Sequence, residues 1–530
     1  LDNRFGLPFW LLLAAAAVLL VVRTGDAPLI DPDEARFART SVEMSRSRDL
    51  VVPTFEDEPR LVKPPLLHWV QAAIFGLLGE SEFTARLPAT LATLGMLLIT
   101  GWVARRRFGP EGAFWAAMVL ATSPLVMILG RLGTTDALLS VHILAVVALD
   151  LAEPEEAGAY RSLAIGALLG LAFLAKGPVG VILPLLVILA GRTASGRDVL
   201  PGAGAAARAL AGWCAVVLPW GLVFLRRVGG EATLGTLGHE VLSRFFEGTD
   251  HTEPTWYYAG VMLVGFVPWI APLCVGMARI LGNRRDPASR TGLYAGAGLL
   301  VGLLFFSLSR GKLPNYILPL APLVAIVVTW ELGRELDAPG ERRLGPALLS
   351  GTLAAFGLLL GYVWTYRLPA AAQTTALIGA VAYLAGFVCS LPGVFRHRPR
   401  WVYGWAGASS ATFLLAAAVL FLPAHADRRS ARPLIEAVPA LGSGRPVVVV
   451  EMELPSLTLY LDRIPEKIHA GAVAERIDRG DRPLLVFDTS DLWLLGADVN
   501  RQLVEIGGHG KYKVFESDGG ALLDGDRPPG

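Results

Sequence analysis

Long apolar blocks return along this chain at short intervals, each about the length that crosses a bilayer core. "LPFWLLLAAAAVLLVV" is the first, and comparable runs continue to residue 423. Such a run can satisfy its backbone polar groups in lipid only as a helix, so the repetition leaves few fold classes open. Composition agrees. Hydrophobic residues make up 53% of the chain and charged residues 18%, where soluble domains carry about 25% charged. The net charge of +1 supplies no field for nucleic acid.

About thirteen runs reach spanning length. They cover 7–23, 86–104, 112–130, 134–151, 162–175, 178–191, 205–225, 257–278, 292–309, 314–331, 345–364, 374–394 and 403–423. The fifth and sixth are short and parted only by "KGP". No small-residue cleavage motif follows the first run, so it reads as a retained helix rather than a signal peptide. The loops "RRRF", "RTASGRD", "NRRDPASR", "RELDAPGERR" and "RHRPR" alternate with loops poor in Lys and Arg. The positive-inside rule places these basic loops in the cytoplasm. The N-terminus is then inside, and residues 24–85, 226–256, 309–313 and everything after 424 lie on the outer face.

Residues 425–530 differ in character. "RPVVVVEME" and "RPLLVFDTS" are strand-like, "KYKVFES" is a candidate third strand, and "AGAVAERIDRG" reads as a helix. The expected fold is a polytopic α-helical membrane protein over 1–424 with a small extracytoplasmic α/β domain over 425–530. Neither a glycine-rich phosphate loop nor a 20-to-50-residue repeat is evident. Cys214, Cys274 and Cys389 sit in apolar runs without zinc-type spacing and read as buried thiols.

The chemistry-bearing residues cluster in the outer loops. "DPDEARFART" follows the first span within ten residues. Asp31 can cap a helix opened by Pro32, with Glu34 closing a capping box and the helix running to Met44. Asp33, Arg36 and Phe37 then share a face. A plain interfacial helix with solvated charges would use the same residues. However, charge within one turn of the bilayer exit is costly unless paired or used. Further on, in "RLVKPPLLHW", Pro64 holds Lys63 extended and Pro65 opens a second surface helix, with Leu66, Trp69, Val70, Ala73 and Leu77 on one side. A cation fixed at headgroup depth suits a lipid phosphate, although a snorkelling lysine fits the position too. Asp136 in "GRLGTTDALLS" stands at the outer mouth of the fourth span near Arg131, as a catalytic candidate or half of a tolerated ion pair. Lys176 marks another outer span end, able to meet phosphate or to snorkel. In loop 226–256, His239 and Arg244 lie five apart, and His251 precedes the aromatic run "TEPTWYY".

"DEARFARTSVEM", "RLVKPPLLHWVQAAIFGLLGESEFTARLPATL" and "SRGKLPNYILPLAPL", in this order, resemble the GT-C membrane glycosyltransferases that use polyprenyl-phosphate sugars. Protein mannosyltransferases are more distant members of that superfamily. The resemblance covers roughly the first 330 residues. It implies inverting transfer of a sugar from a polyprenyl-phosphate donor to a lipid or glycan acceptor, at the outer face of a bacterial cytoplasmic membrane. It places Asp33 at the catalytic acidic position, with Glu34 next in line and Asp136 a second acidic candidate. It sets Arg36, Lys63, Arg244 and Tyr316 against the donor phosphate, with Lys312 one turn before Tyr316. It also implies a divalent cation held by a histidine, here His239, and a glutamate before the elbow lysine. Val62 stands in that glutamate's place. The expectation is an enzyme less dependent on metal than its relatives, since fixed cations can stabilise a leaving phosphate themselves.

A transporter or lipid flippase is the rival class. It would place ionisable groups near mid-membrane on broken, repeated helices, whereas the expected spans here are nearly free of charge. A polymerase or ligase of lipid-linked glycans would share the chemistry and differ in acceptor.

Overall fold

The computed structural model describes residues 5–152, 158–232, 235, 252–282, 289–337, 344–478 and 482–517. Every expected apolar run lies on helix. The elements are α1 (Leu7–Val21), α2 (Asp33–Ser47), α3 (Leu66–Leu78), α4 (Glu82–Ala121), α5 (Pro124–Leu129), α6 (Thr135–Ala152), α7 (Gly158–Lys176), α8 (Val179–Ala194) and α9 (Ala203–Val228). They continue with α10 (Tyr257–Gly265), α11 (Ile270–Gly282), α12 (Arg290–Leu308), α13 (Ala321–Asp337), α14 (Leu344–Trp364), α15 (Ala370–Phe395), α16 (Pro399–Ala416) and α17 (Leu422–Asp427). Among the described residues, seven helical stretches are long and apolar enough to cross a membrane by themselves, or eight if α10 and α11, bent by 118°, count as one. The second and third runs join as one 40-residue helix broken at Gly109, whose φ of 75° suits glycine, with Pro110 opening the next segment.

α13 and the 3₁₀ turn before it (Pro314–Leu320) form the centre of the bundle, with 89% of their apolar window buried; α9, at 17%, lies on the periphery. The cysteine expectation needs correction. Cys274 is exposed on the protein surface and Cys214 and Cys389 are half-buried, because an apolar span can hide its side chains in lipid as well as in protein.

Residues 24–85 fold as two surface helices, α2 and α3, joined through a hairpin of β1 (Thr54–Phe55) and β2 (Glu58–Pro59). Glu56 and Asp57 turn that hairpin with φ of 57° and 65°, a primed turn matched to strand twist. The expected apolar side of α3 is split between environments: Leu66 is buried, Trp69 and Val70 are half-buried, and Ala73 and Leu77 are exposed, Leu77 at 83%, while His68, Gln71 and Phe75 are buried. An interfacial helix turns its greasiest side to lipid and can keep polar groups for the protein. His68 Nδ1 and Gln71 Oε1 both meet the Ser41 hydroxyl of α2, at 2.8 and 2.6 Å. Burial drives the His68 imidazole down to about 3, so it works as a neutral hydrogen-bonding group.

The C-terminal stretch carries α18 (Arg432–Ala437), β3 (Val447–Val450), α19 (Pro455–Leu461), β4 (Glu466–Ile468), α20 (Val473–Asp478), β5 (Leu484–Asp488), α21 (Ala497–Asn500), β6 (Leu503–His509) and β7 (Tyr512–Ser517). They form a five-stranded sheet ordered β4-β3-β5-β7-β6. β4, β3 and β5 run parallel, and β7 and β6 are added antiparallel. β3 and β5 are buried along their whole length because both sheet faces are covered. Leu434, Val449 and Leu457 lie in the core of one face, and Val450, Val473 and Phe487 in that of the other. Sequence patterning missed two strands. β4 has only three residues, and β6, "LVEIGGH", carries a glycine pair where its ladder slips.

Candidate active site

α2 is held from below by one buried ion pair. Both oxygens of Glu34 are taken by Arg86, through Nε at 2.9 Å and Nη2 at 2.8 Å. The backbone N–H groups of Ile30 and Gly133 donate to the same carboxylate, at 3.1 and 2.7 Å. Arg86 spends its other donors on the carbonyls of Thr24, Ala27 and Pro28. All five guanidinium N–H groups are therefore satisfied. The capping box expected from Asp31 and Glu34 does not form, and no side chain caps α2. A buried guanidinium outcompetes a helix N–H for a carboxylate, since charge-assisted bonds are roughly twice as strong. Glu34 is thus engaged through both oxygens and anchors the helix.

Its neighbour is placed differently. Asp33 opens α2 and is exposed. Asp31, just before it, lies at the contact with the C-terminal sheet unit, where burial pushes its carboxyl up to about 7. A carboxyl poised there would suit a general base, but geometry comes first. One Asp31 oxygen accepts from the Ser456 N–H at 2.8 Å and the other from the Ser456 hydroxyl. Asp33 is the accessible carboxylate of this turn.

Across from α2, the end of α7 and the start of α6 bring together a second group. The ammonium of Lys176 pairs with Asp136 and stands 4.9 Å above the Tyr316 ring. Asn315 donates to Asp136 at 2.8 Å and Thr134 at 3.1 Å. Asp33 lies within electrostatic reach of this lysine. The expected Arg131–Asp136 pairing is not what forms: Arg131 donates to the carbonyls of Leu19 and Val22. Asp136 stays buried between a cation and two neutral donors. Asn315 was not anticipated, although it sits inside the "KLPNYILP" stretch and could have been read from it.

The other phosphate candidates separate. Lys63 is half-buried immediately before α3, which packs against α7. Arg36 meets Glu453 of the sheet unit, and its guanidinium lies 5.8 Å from the Phe55 ring centroid. Lys312 is buried and donates to the Glu253 carbonyl at 2.8 Å, tying the "GKLP" loop to the chain ahead of α10. Pro314 starts a 3₁₀ turn rather than continuing a helix, so Lys312 and Tyr316 do not share a helix face. Arg244, His239 and His251 lie outside the described residues. Among the described residues no group of three or more His, Cys, Asp or Glu side chains is arranged to hold a metal. Val62 is 38% exposed and contributes no ligand.

Comparison with known proteins places this geometry. Residues 62–224 match a family model described as dolichyl-phosphate-mannose-protein mannosyltransferase. The chain is 31% identical over 437 residues to undecaprenyl phosphate-alpha-4-amino-4-deoxy-L-arabinose arabinosyl transferase 2 of Pseudomonas fluorescens, spanning 79% of this chain and 77% of that one. It is 32% identical over 366 residues to the corresponding transferase of Pseudomonas aeruginosa, spanning 66% and 65%. Its fold superposes with a TM-score of 0.78 on the crystal structure of ArnT from Cupriavidus metallidurans bound to undecaprenyl phosphate, at 22% identity and over 98% and 99% of the two chains. The apolar helices and these relatives together define a membrane-embedded glycosyltransferase of the GT-C architecture. The chain belongs to the family of undecaprenyl phosphate-aminoarabinose arabinosyl transferases.

Proposed function

We propose that this enzyme transfers a pentosyl sugar, of the aminoarabinose kind named for its relatives, from undecaprenyl phosphate to a lipid or glycan acceptor. The observation that carries this reading is Asp33, an accessible carboxylate on an anchored helix within electrostatic reach of Lys176, the ammonium paired with Asp136. In the reaction Asp33 accepts the proton of the acceptor hydroxyl while that oxygen attacks the anomeric carbon from the face opposite the phosphate. The bond from the anomeric carbon to the phosphate oxygen breaks, the configuration inverts, and the lipid phosphate leaves with the electron pair. Lys63, Arg36 and Tyr316 face that phosphate and stabilise its growing charge, and Arg244 is assigned the same role by its match to the family position alone. Asp136 positions Lys176 beside them. Incubating the purified protein with a panel of polyprenyl-phosphate sugars and acceptors, with products read by mass spectrometry, tests this. Turnover of none of the donors would remove the reading.

The donor site makes a separate prediction. Lys63→Ala should weaken donor binding by about 1.5–3 kcal/mol, the worth of one charge-assisted contact. Donor titration of Lys63→Ala and Arg244→Ala checks it, and unchanged affinity in both would put the phosphate elsewhere.

Thirteen spans, with residues 1–424 in the membrane part and 425–530 an extracytoplasmic domain, complete the proposal. An odd number of spans with the N-terminus inside puts the C-terminus outside. A C-terminal reporter active only in the cytoplasm should then stay dark. A strong signal would mean that α7 and α8, the shortest expected pair, do not both cross.

A further inference from the structure

The C-terminal sheet unit grips the helix that carries Asp33. Just before that helix, the Leu29 N–H donates to the Tyr460 hydroxyl at 2.9 Å and the Asp31 N–H to the Arg429 carbonyl at 2.8 Å. The Asp31 carboxylate is held by Ser456. Along α2, Arg36 meets Glu453, and Arg39 and Arg46 converge on Asp462, each at 2.6 Å. Leu459 packs onto the apolar patch formed by Leu29, Ala35, Ala38 and Val42. Residues 453–462 thus read along the helix from its first turn to its last, while Glu34 anchors the other side on Arg86. None of these C-terminal groups enters the chemistry proposed above.

We propose that residues Ser456–Asp462 are a positioning clamp, with Asp462 and Ser456 as its principal residues, which orients Asp33 toward the acceptor without contributing to donor binding. This rests on the reading of Asp33 as the base. The chemistry explains why a clamp matters: a displacement of about 1 Å at a reacting group can cost on the order of a hundredfold in rate. α2 has no side-chain cap of its own to fix its first turn, so its orientation depends on what holds the strap before it.

Asp462 allows a clean test. It ends α19 in the left-handed region, at φ 51°, a conformation that asparagine tolerates well. Asp462→Asn therefore keeps the backbone and removes only the charge, while Arg39 retains Glu43 at 2.8 Å. In the full-length protein, Asp462→Asn, Arg46→Gln, the double variant and Ser456→Ala are compared with wild type and with Asp33→Asn. Expected are kcat losses of roughly three- to thirtyfold, donor KM within twofold of wild type, an unchanged melting temperature in Asp462→Asn and Arg46→Gln, and a double variant no worse than the more impaired single. Unchanged kcat in Asp462→Asn and Ser456→Ala, with Asp33→Asn inactive, overturns the clamp and leaves the base in place. A kcat loss that only follows a fall in melting temperature, or a rise in donor KM at constant kcat, overturns it too. An active Asp33→Asn variant instead overturns the base, and the clamp with it.

Discussion

Asp33→Asn is expected to lower turnover by at least about a hundredfold while the protein folds and melts as wild type does. The substitution keeps the shape of the side chain and removes its ability to take a proton. The fold should tolerate the loss of that charge, because Asp33 is exposed and the anchoring of α2 falls to its neighbours. The measurement is sugar transfer by the purified variant, read as product per enzyme, beside a thermal melt in the same detergent. Near-wild-type turnover by a correctly folded variant would take the base away from Asp33.

One residue along, the opposite outcome is expected. Glu34→Gln should destabilise the fold by about 3–5 kcal/mol, the cost of removing one partner from a buried ion pair. Arg86 would keep its three carbonyl acceptors, but its charge would face an amide in a site 3% exposed. The Ile30 and Gly133 N–H groups would compete for the one remaining amide oxygen. A melting curve of the variant in detergent checks this. A melting temperature equal to wild type would show that the pair is dispensable, and the anchoring of α2 would have to be sought in the C-terminal contacts instead. Two adjacent carboxylates, about 100° apart around the helix, should thus divide into one that is needed for turnover and one that is needed for folding.

Much of this was legible in the chain. Spanning helices announce themselves by length and hydropathy, because lipid forbids unpaired backbone groups. The surface helix at Asp33 and the elbow at Lys63 followed from proline positions, and α3 begins at Leu66, one residue after Pro65. Strands β3 and β5 stood out as unbroken apolar runs. What periodicity left open was direction. It grouped Leu66 with Leu77 on one side of α3, yet the first is buried and the second exposed, and it left His68 and Gln71 unremarked, because two apolar environments, lipid and protein core, look identical in a hydropathy pattern.

The sequence by itself determined the kind of protein and the pool of charged residues available at one rim of the membrane. Only the tertiary structure decided how those charges pair. Glu34 found Arg86, 52 positions away, instead of the helix end beside it; Asp136 found Lys176, 40 positions away, instead of Arg131. Arg36, Arg39 and Arg46 found carboxylates more than 400 positions on. The physical reason is that local spacing limits which groups can meet on one helix, whereas a buried charge takes whichever opposite partner the packed fold brings within reach. Its desolvation cost is large, and only a close, hydrogen-bonded counter-charge offsets it.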